Sequence, residues 1–333
     1  MPVSPPRHPR DYGGTFSIDN RDDGSPIREM IALGDRMLIV TDKCIYAMQM
    51  ADQIDPGRTN PKLPHNVHQK LFDHGAGSEL FCRSFLQAWK LFRREFQAID
   101  IAHSLQRSLD AFGELVAMRD VSDAFKAAEQ LAIEKAQSGA DKRGSLALPA
   151  VGNVRAHCKT FAQKADHCAA ALLAIVRLFY PEIRKKNWDD MLSLVKGRYG
   201  EDDQFSTHMG IATPFLKLVR HTRDCLDHDN VSGVTTRDFE LHANGQIGIP
   251  SIEVNFRGSL VDRCSITSFM EEMTQEMLAA FELTIVYMCA KNMQPITGMP
   301  MVLAPLPEIY KKAWRVRYGY GAYFANGQFA PCG

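Results

Sequence analysis

Apolar side chains recur every three or four positions through residues 77–138. Leu80, Phe81, Phe85, Leu86, Trp89, Phe92 and Phe96 make one run, Ile101, Leu105, Leu109, Phe112 and Leu115 a second, and Asp120 to Gln137 a third. This spacing marks one face of an amphipathic helix. It also predicts helices over 152–179, ended by Pro181, over 186–197, and over 206–228, where Pro214 lies near the start or marks a kink. A last helix is predicted over 265–292, with Phe269, Met273, Met277, Ala280, Phe281 and Ile285 on one face. The period changes to two over 235–256 around Asn244-Gly245, a strong hairpin signal. Arg36 to Val40 reads as a short buried strand. Thr41-Asp42 then either caps a helix carrying Ile45, Met48 and Ala51 or turns the chain into a second strand.

The segments without a period set the organisation. Residues 1–25, rich in Pro, Gly, Asp and Arg, are expected to form a flexible arm. The Pro- and Asn-rich stretch 55–68 is incompatible with a regular helix, and 138–150 reads as a loop and a domain boundary. The expected fold is mostly α. A mixed, largely helical region with a small β element (26–138), a candidate sensor or regulatory part, precedes a four-helix bundle with an inserted β-hairpin (151–292) and a Gly- and aromatic-rich tail (293–333).

Composition narrows the class. Thirty-nine Lys+Arg balance 39 Asp+Glu, and 45% of residues are hydrophobic. Wholesale disorder is excluded, and any nucleic-acid-binding surface has to be local. The eight Cys contain no C-x-x-C pair and sit in apolar segments, the pattern of reduced, buried thiols. Neither Cys nor His has zinc-ligand spacing, so no metal or cofactor is expected. The N-terminus lacks an apolar signal core, and no apolar run reaches a membrane span. A cytoplasmic protein is expected.

Candidate chemistry lies at the end of the predicted 206–228 helix, in Arg223-Asp224-Cys225-Leu226-Asp227-His228. Two other Arg…His pairs, Arg58…His65 and Arg237…His242, fall in a Pro-rich loop and a predicted strand. The third-helix position, followed by a hairpin and a final helix, distinguishes the first. In this segment the chain resembles the HEPN family, whose hallmark is an Arg, a polar residue and then a His toward the end of the third helix of a four-helix bundle. Arg223, polar Asp224 and His228 fit it, and the resemblance covers 151–292 only. It implies a homodimer in which two copies of the motif form one cleft, and RNA cleavage in toxin, stress or anti-phage settings, with a regulatory partner restraining activity. Some members of the family are non-catalytic modules that bind partners or ligands.

Helical geometry bears on this reading. Residues four apart share a face, so Arg220, Asp224 and His228 form a polar stripe, with Phe215, Leu218, Thr222 and Leu226 near the core. Arg223 is spaced to pair with Asp227, and five residues place His228 about 140° around the helix from it. A common site therefore needs a distorted helix end or a two-fold partner. Chemically, His228 can exchange a proton with a ribose 2′-OH or a leaving 5′-oxygen. Arg223 can stabilise phosphate charge, Asp224 can orient an imidazole, and Arg220 and Asp227 are weaker substrate-contacting candidates. The bland alternative is a solvated salt-bridge face with a His complementing the helix dipole.

Other features have ordinary explanations alongside functional ones. The loop 54–64, with Asp55, Arg58 and Asn60, either binds an anion or partner or is tied down by its own Asx turns. Arg184-Lys185-Lys186 before Trp188 suits an RNA backbone or a solvated helix start. The segment 315–324 suits single-stranded RNA or a strand closing on the N-terminal half. The Asp pairs 189–190 and 202–203 fit helix starts or turns, and the Met/Phe stripe of 269–288 fits a core or dimer interface.

Overall fold

The structure is a computed structural model describing residue 10 and residues 24–138, 146–183, 187–228, 232–296, 300–324 and 326–332. Most of the expected arm 1–25, half of the expected boundary loop and the basic cluster 184–186 lie outside the described residues. The chain divides into two compact units, Met1–Cys82 and Arg83–Gly333. The expected boundary at 138–150 falls inside the second.

The first unit is an antiparallel meander of β1 (Ile27–Leu33), β2 (Arg36–Thr41), β3 (Ile45–Met50) and β4 (Asn66–Phe72), in that spatial order. Of the two readings of Thr41-Asp42, the turn is the one observed. The Cys44 N–H donates to Thr41 Oγ1 at 2.9 Å, and β3 returns along β2. Ile31, Leu38, Ile39, Val40 and Ile45 are fully buried. The edge strand β4 is largely exposed and polar, which discourages pairing with other chains. After it, Gly75 comes so close to the β2–β3 turn that a Cβ would lie 2.2 Å from the Thr41 carbonyl oxygen. No side chain fits there, and the Ala76 N–H donates to that same oxygen at 2.8 Å.

Between β3 and β4 lie a short helix, α1 (Ala51–Ile54), and the 54–64 loop. Asp55 occupies itself with the loop: its carboxylate accepts from the Thr59 N–H, the Thr59 hydroxyl and the Asn60 N–H. Arg10 adds hydrogen bonds to Asp52, Asp55 and the Asn60 carbonyl. The loop is thus an Asx-turn structure closed by an arginine from the N-terminal segment. A short helix, α2 (Glu79–Phe81), ends the unit.

The second unit contains α3 (Gln87–Leu91), α4 (Ile101–Ser138), α5 (Val154–Phe179), α6 (Trp188–Tyr199), α7 (Gln204–Asp227) and α8 (Ile266–Lys291). The second and third predicted runs merge into the single 38-residue α4, because Val116 and Met118 carry the buried face across their junction. The long helices α4, α5, α7 and α8 pack on one another, while α6 packs on α7. The bundle therefore recruits α4, which was expected to belong to a separate N-terminal region. The Asp pairs lie at helix starts: Asn187 caps α6 at the Asp189 N–H, and Asp203 caps α7 at the Phe205 N–H. Trp188 is buried.

Between α7 and α8 the expected hairpin is present and extended. β5 (Val234–Arg237) pairs with β8 (Ser251–Phe256). Asn244-Gly245 turns a two-stranded tip of β6 (Glu240–Leu241) and β7 (Ile247–Gly248), and β9 (Ser259–Ser265) adds a third strand to β5–β8. The two-residue β8–β9 turn has φ 48° at Arg257 and 82° at Gly258, the left-handed pair of a type I′ turn. The tail forms a sheet of β10 (Met301–Pro305), β11 (Tyr318–Tyr323) and β12 (Phe329–Pro331), with α9 (Glu308–Trp314) between the first two. Tyr320 on β11 is buried, stacks 3.8 Å from Phe96, and donates to the Leu91 carbonyl at 2.9 Å.

The fold class is therefore mixed α/β, about half helical with several small antiparallel sheets, rather than mostly α. Long helices announce themselves through many repeats of one period. Strands of two to seven residues, several with one exposed polar face, offer too few repeats.

Candidate functional site

The end of α7 is positioned by its buried stripe of Phe205, Met209, Ala212, Leu216, Val219 and Leu226, spaced three or four apart except at the half-polar last turns. Phe215 and Leu218, expected near the core, are instead half-buried beside a cleft. Arg220 is exposed, and Asp224 and Asp227 are half-buried. His228 is the C-cap: its backbone N–H donates to the Asp224 carbonyl at 3.2 Å and its side chain is exposed.

Arg223 points across to α5. Its Nε and Nη2 donate to Asp166 Oδ2 at 3.2 and 3.0 Å. Its Nη1 lies 3.0 Å from Asp224 and 3.7 Å from Asp227. Burial opposes the guanidinium charge, but the hydrogen bonds to Asp166 and the charges of Asp166, Asp224 and Asp227 outweigh it, so its pKa is raised. Around this cluster α5 contributes a polar row. Arg155 donates to the Cys225 carbonyl at 2.9 Å, Gln163 donates to Asp227 at 2.7 Å, and Lys159 lies 3.4 Å from Asp227. Arg155, Lys159, Gln163 and Asp166 were not singled out from sequence. Their spacing of four, four and three, which places them along one side of the helix, was the available signal.

The structure brings Arg223, Asp224 and Asp227 together. It does not join Asp224 to the His228 imidazole, because the Asp224 carboxylate is turned to Arg223. The face carrying Asp224 and His228 instead includes His221, seven residues before His228 and so nearly eclipsed with it. His221 Nδ1 lies 2.9 Å from Ser259 Oγ, and its ring meets Phe256 edge-on. Burial, then the positive charges of Arg257 and Lys217, lowers its pKa, which keeps it neutral near pH 7. Next to it runs a cleft of about 580 Å³ between α6, α7 and the β8–β9 turn, lined by Phe215, Lys217, Leu218, Arg257 and Leu260 among others.

Burial disfavours the reactive thiolate at four of the cysteines. Burial pushes the Cys158 thiol up to about 12 and raises Cys168, Cys225 and Cys289 as well. Among the described residues no group of three or more His, Cys, Asp or Glu is arranged to hold a metal ion, and no helix is long and apolar enough to cross a membrane. No family model, curated protein or solved structure matches the chain.

Proposed function

We propose that the end of α7 is the active site of a metal-independent endoribonuclease that acts on single-stranded RNA as a two-fold dimer. The observation that carries this reading is the exposed His228 at the C-terminal end of α7, one turn beyond the half-exposed Arg223–Asp224 pair. Neutral His228 would accept the ribose 2′-OH proton as the 2′-oxygen attacks phosphorus. The His228 of a second copy, protonated, would donate to the departing 5′-oxygen, leaving a 2′,3′-cyclic phosphate. Arg223 would stabilise the added phosphate charge by exchanging Nη1 from Asp227, its longest contact at 3.7 Å, to a phosphate oxygen. Asp224 would hold Arg223 rather than the imidazole. Arg220, exposed one turn earlier, is the accessible cation for an incoming strand.

A second reading rests on the three carboxylates around Arg223. A guanidinium already paired with Asp166, Asp224 and Asp227 can serve as a brace between α5 and α7 in a non-catalytic module that binds a regulator.

The two separate in one experiment: cleavage of end-labelled single-stranded RNA in EDTA by wild type, His228→Ala and Arg223→Ala. The nuclease reading expects cyclic-phosphate ends from wild type and a loss of roughly 10²- to 10⁴-fold in His228→Ala at unchanged stability. Arg223→Ala is expected to lose cleavage and also about 1–3 kcal/mol of stability, since it leaves three carboxylates facing one another. Absence of cleavage by wild type, or equal cleavage by His228→Ala, overturns the nuclease reading and leaves the module.

A further inference from the structure

A second cleft in Arg83–Gly333 plays no part in the α7 chemistry. It encloses about 460 Å³ between α3, the start of α4, the end of α9 and β11. Its walls are aromatic: Trp89, Phe92, Trp314, Tyr318 and Tyr320. The chain has three tryptophans. Trp188 is buried in the core, whereas Trp89 and Trp314 both line this cleft and stay half-exposed. Holding two indoles partly in water forgoes burial that the core would otherwise gain, which is what a site for a flat ligand requires.

The cleft also has a charge. Lys90 and Arg93 line it, and no Asp or Glu does. Lys90 Nζ lies 4.3 Å over the Trp89 ring, so cation and aromatic ring share one wall. Arg93 pairs with Glu95 at 3.5 Å, but the two side chains are 36% and 60% exposed. Such a solvated pair is worth little, so an entering anion can take its place. The Arg93 guanidinium lies 5.8 Å over the Phe96 ring, which itself stacks on Tyr320 of the cleft wall. Flat aromatic walls with two cations and no carboxylate match a planar ring carrying a phosphate, and the volume suits one such unit rather than a strand.

We infer that this cleft binds a free nucleoside 5′-monophosphate, its base stacked against the Trp89 and Trp314 walls and its phosphate held by Arg93 with Lys90. The site does not depend on whether α7 cuts RNA.

Isothermal titration of the whole chain with AMP, GMP, CMP and UMP tests this, with the matching nucleosides, inorganic phosphate and a single-stranded DNA decamer as further arms. At least one monophosphate should bind saturably, with its nucleoside and inorganic phosphate at least tenfold weaker. Arg93→Ala and Trp314→Ala, both at half-exposed positions, should each weaken binding at least tenfold with unchanged thermal melting. Arg93→Lys should retain most of it, and His228→Ala should bind like wild type. The inference is overturned if none of the four monophosphates binds at millimolar concentration, if a nucleoside binds as tightly as its monophosphate, or if Arg93→Ala and Trp314→Ala bind like wild type. Arg93-dependent binding of the decamer without any monophosphate binding also overturns it, in favour of a strand-binding groove.

Discussion

Replacing Glu282 with alanine is expected to destabilise the Arg83–Gly333 unit by about 3–5 kcal/mol. Glu282 lies on α8 with its side chain 1% exposed. Its Oε2 accepts from Arg83 Nε at 2.8 Å and from Arg317 Nη1 at 3.1 Å. Arg317 is half-exposed and can turn to water, but Arg83, 13% exposed, cannot. Removing the carboxylate takes away an anion that sits directly against a largely buried cation, so the desolvation cost of Arg83 weighs more heavily on the folded state. Glu282→Gln keeps an acceptor of the same shape and should cost clearly less. Urea unfolding of the three proteins checks this. An alanine variant within about 1 kcal/mol of wild type would show that Arg83 reaches solvent easily.

The second large effect is a pH dependence located at His208. This residue sits on α7 with its ring buried against Tyr287 and its Nε2 3.0 Å from Thr284 Oγ1 on α8. Burial lowers its pKa from 6.5 to about 4. The native state therefore holds it neutral, while the unfolded chain takes up a proton below pH 6.5. Stability attributable to the neutral ring is fully present above pH 6.5 and is lost as pH falls toward 4, by about 3 kcal/mol in all. His208→Gln, which can still bond Thr284, removes this term. Wild type should lose about 3 kcal/mol more than the variant between pH 7 and pH 4, measured by denaturant midpoints at each pH. Parallel pH profiles would refute the assignment.

Both effects arise from groups that the sequence did not mark as special. His208 lies at the predicted start of a helix and Glu282 within the Met/Phe stripe expected to be core or interface. Nothing local distinguishes a buried Glu from an exposed one in a helix with acidic residues at 271, 272, 276 and 282. What separates them is which side of α8 meets Arg83 and Arg317, residues far away in the chain.

The same division applies to the candidate site. The helix carrying Arg223 to His228 was legible because Phe205 to Val219 repeat their apolar positions every three or four residues. The Arg223–Asp227 pairing was legible because i,i+4 side chains share a face. The partner that directs Arg223, Asp166 on α5, was not, because two helices adjacent in the fold have no fixed register in sequence. His221 was passed over although seven-residue spacing puts it beside His228.

By itself the sequence determined the long helical runs, the Asn-Gly hairpin and the strand at Arg36–Val40, all features set by contacts within a few residues. Tertiary structure decided that α4 joins the bundle, that short strands in both units form sheets, and that Arg223 faces three carboxylates. It also decided that two half-exposed tryptophans, 225 residues apart in the chain, line one cationic cleft. These depend on packing between distant segments, where burial and charge pairing outweigh local preference.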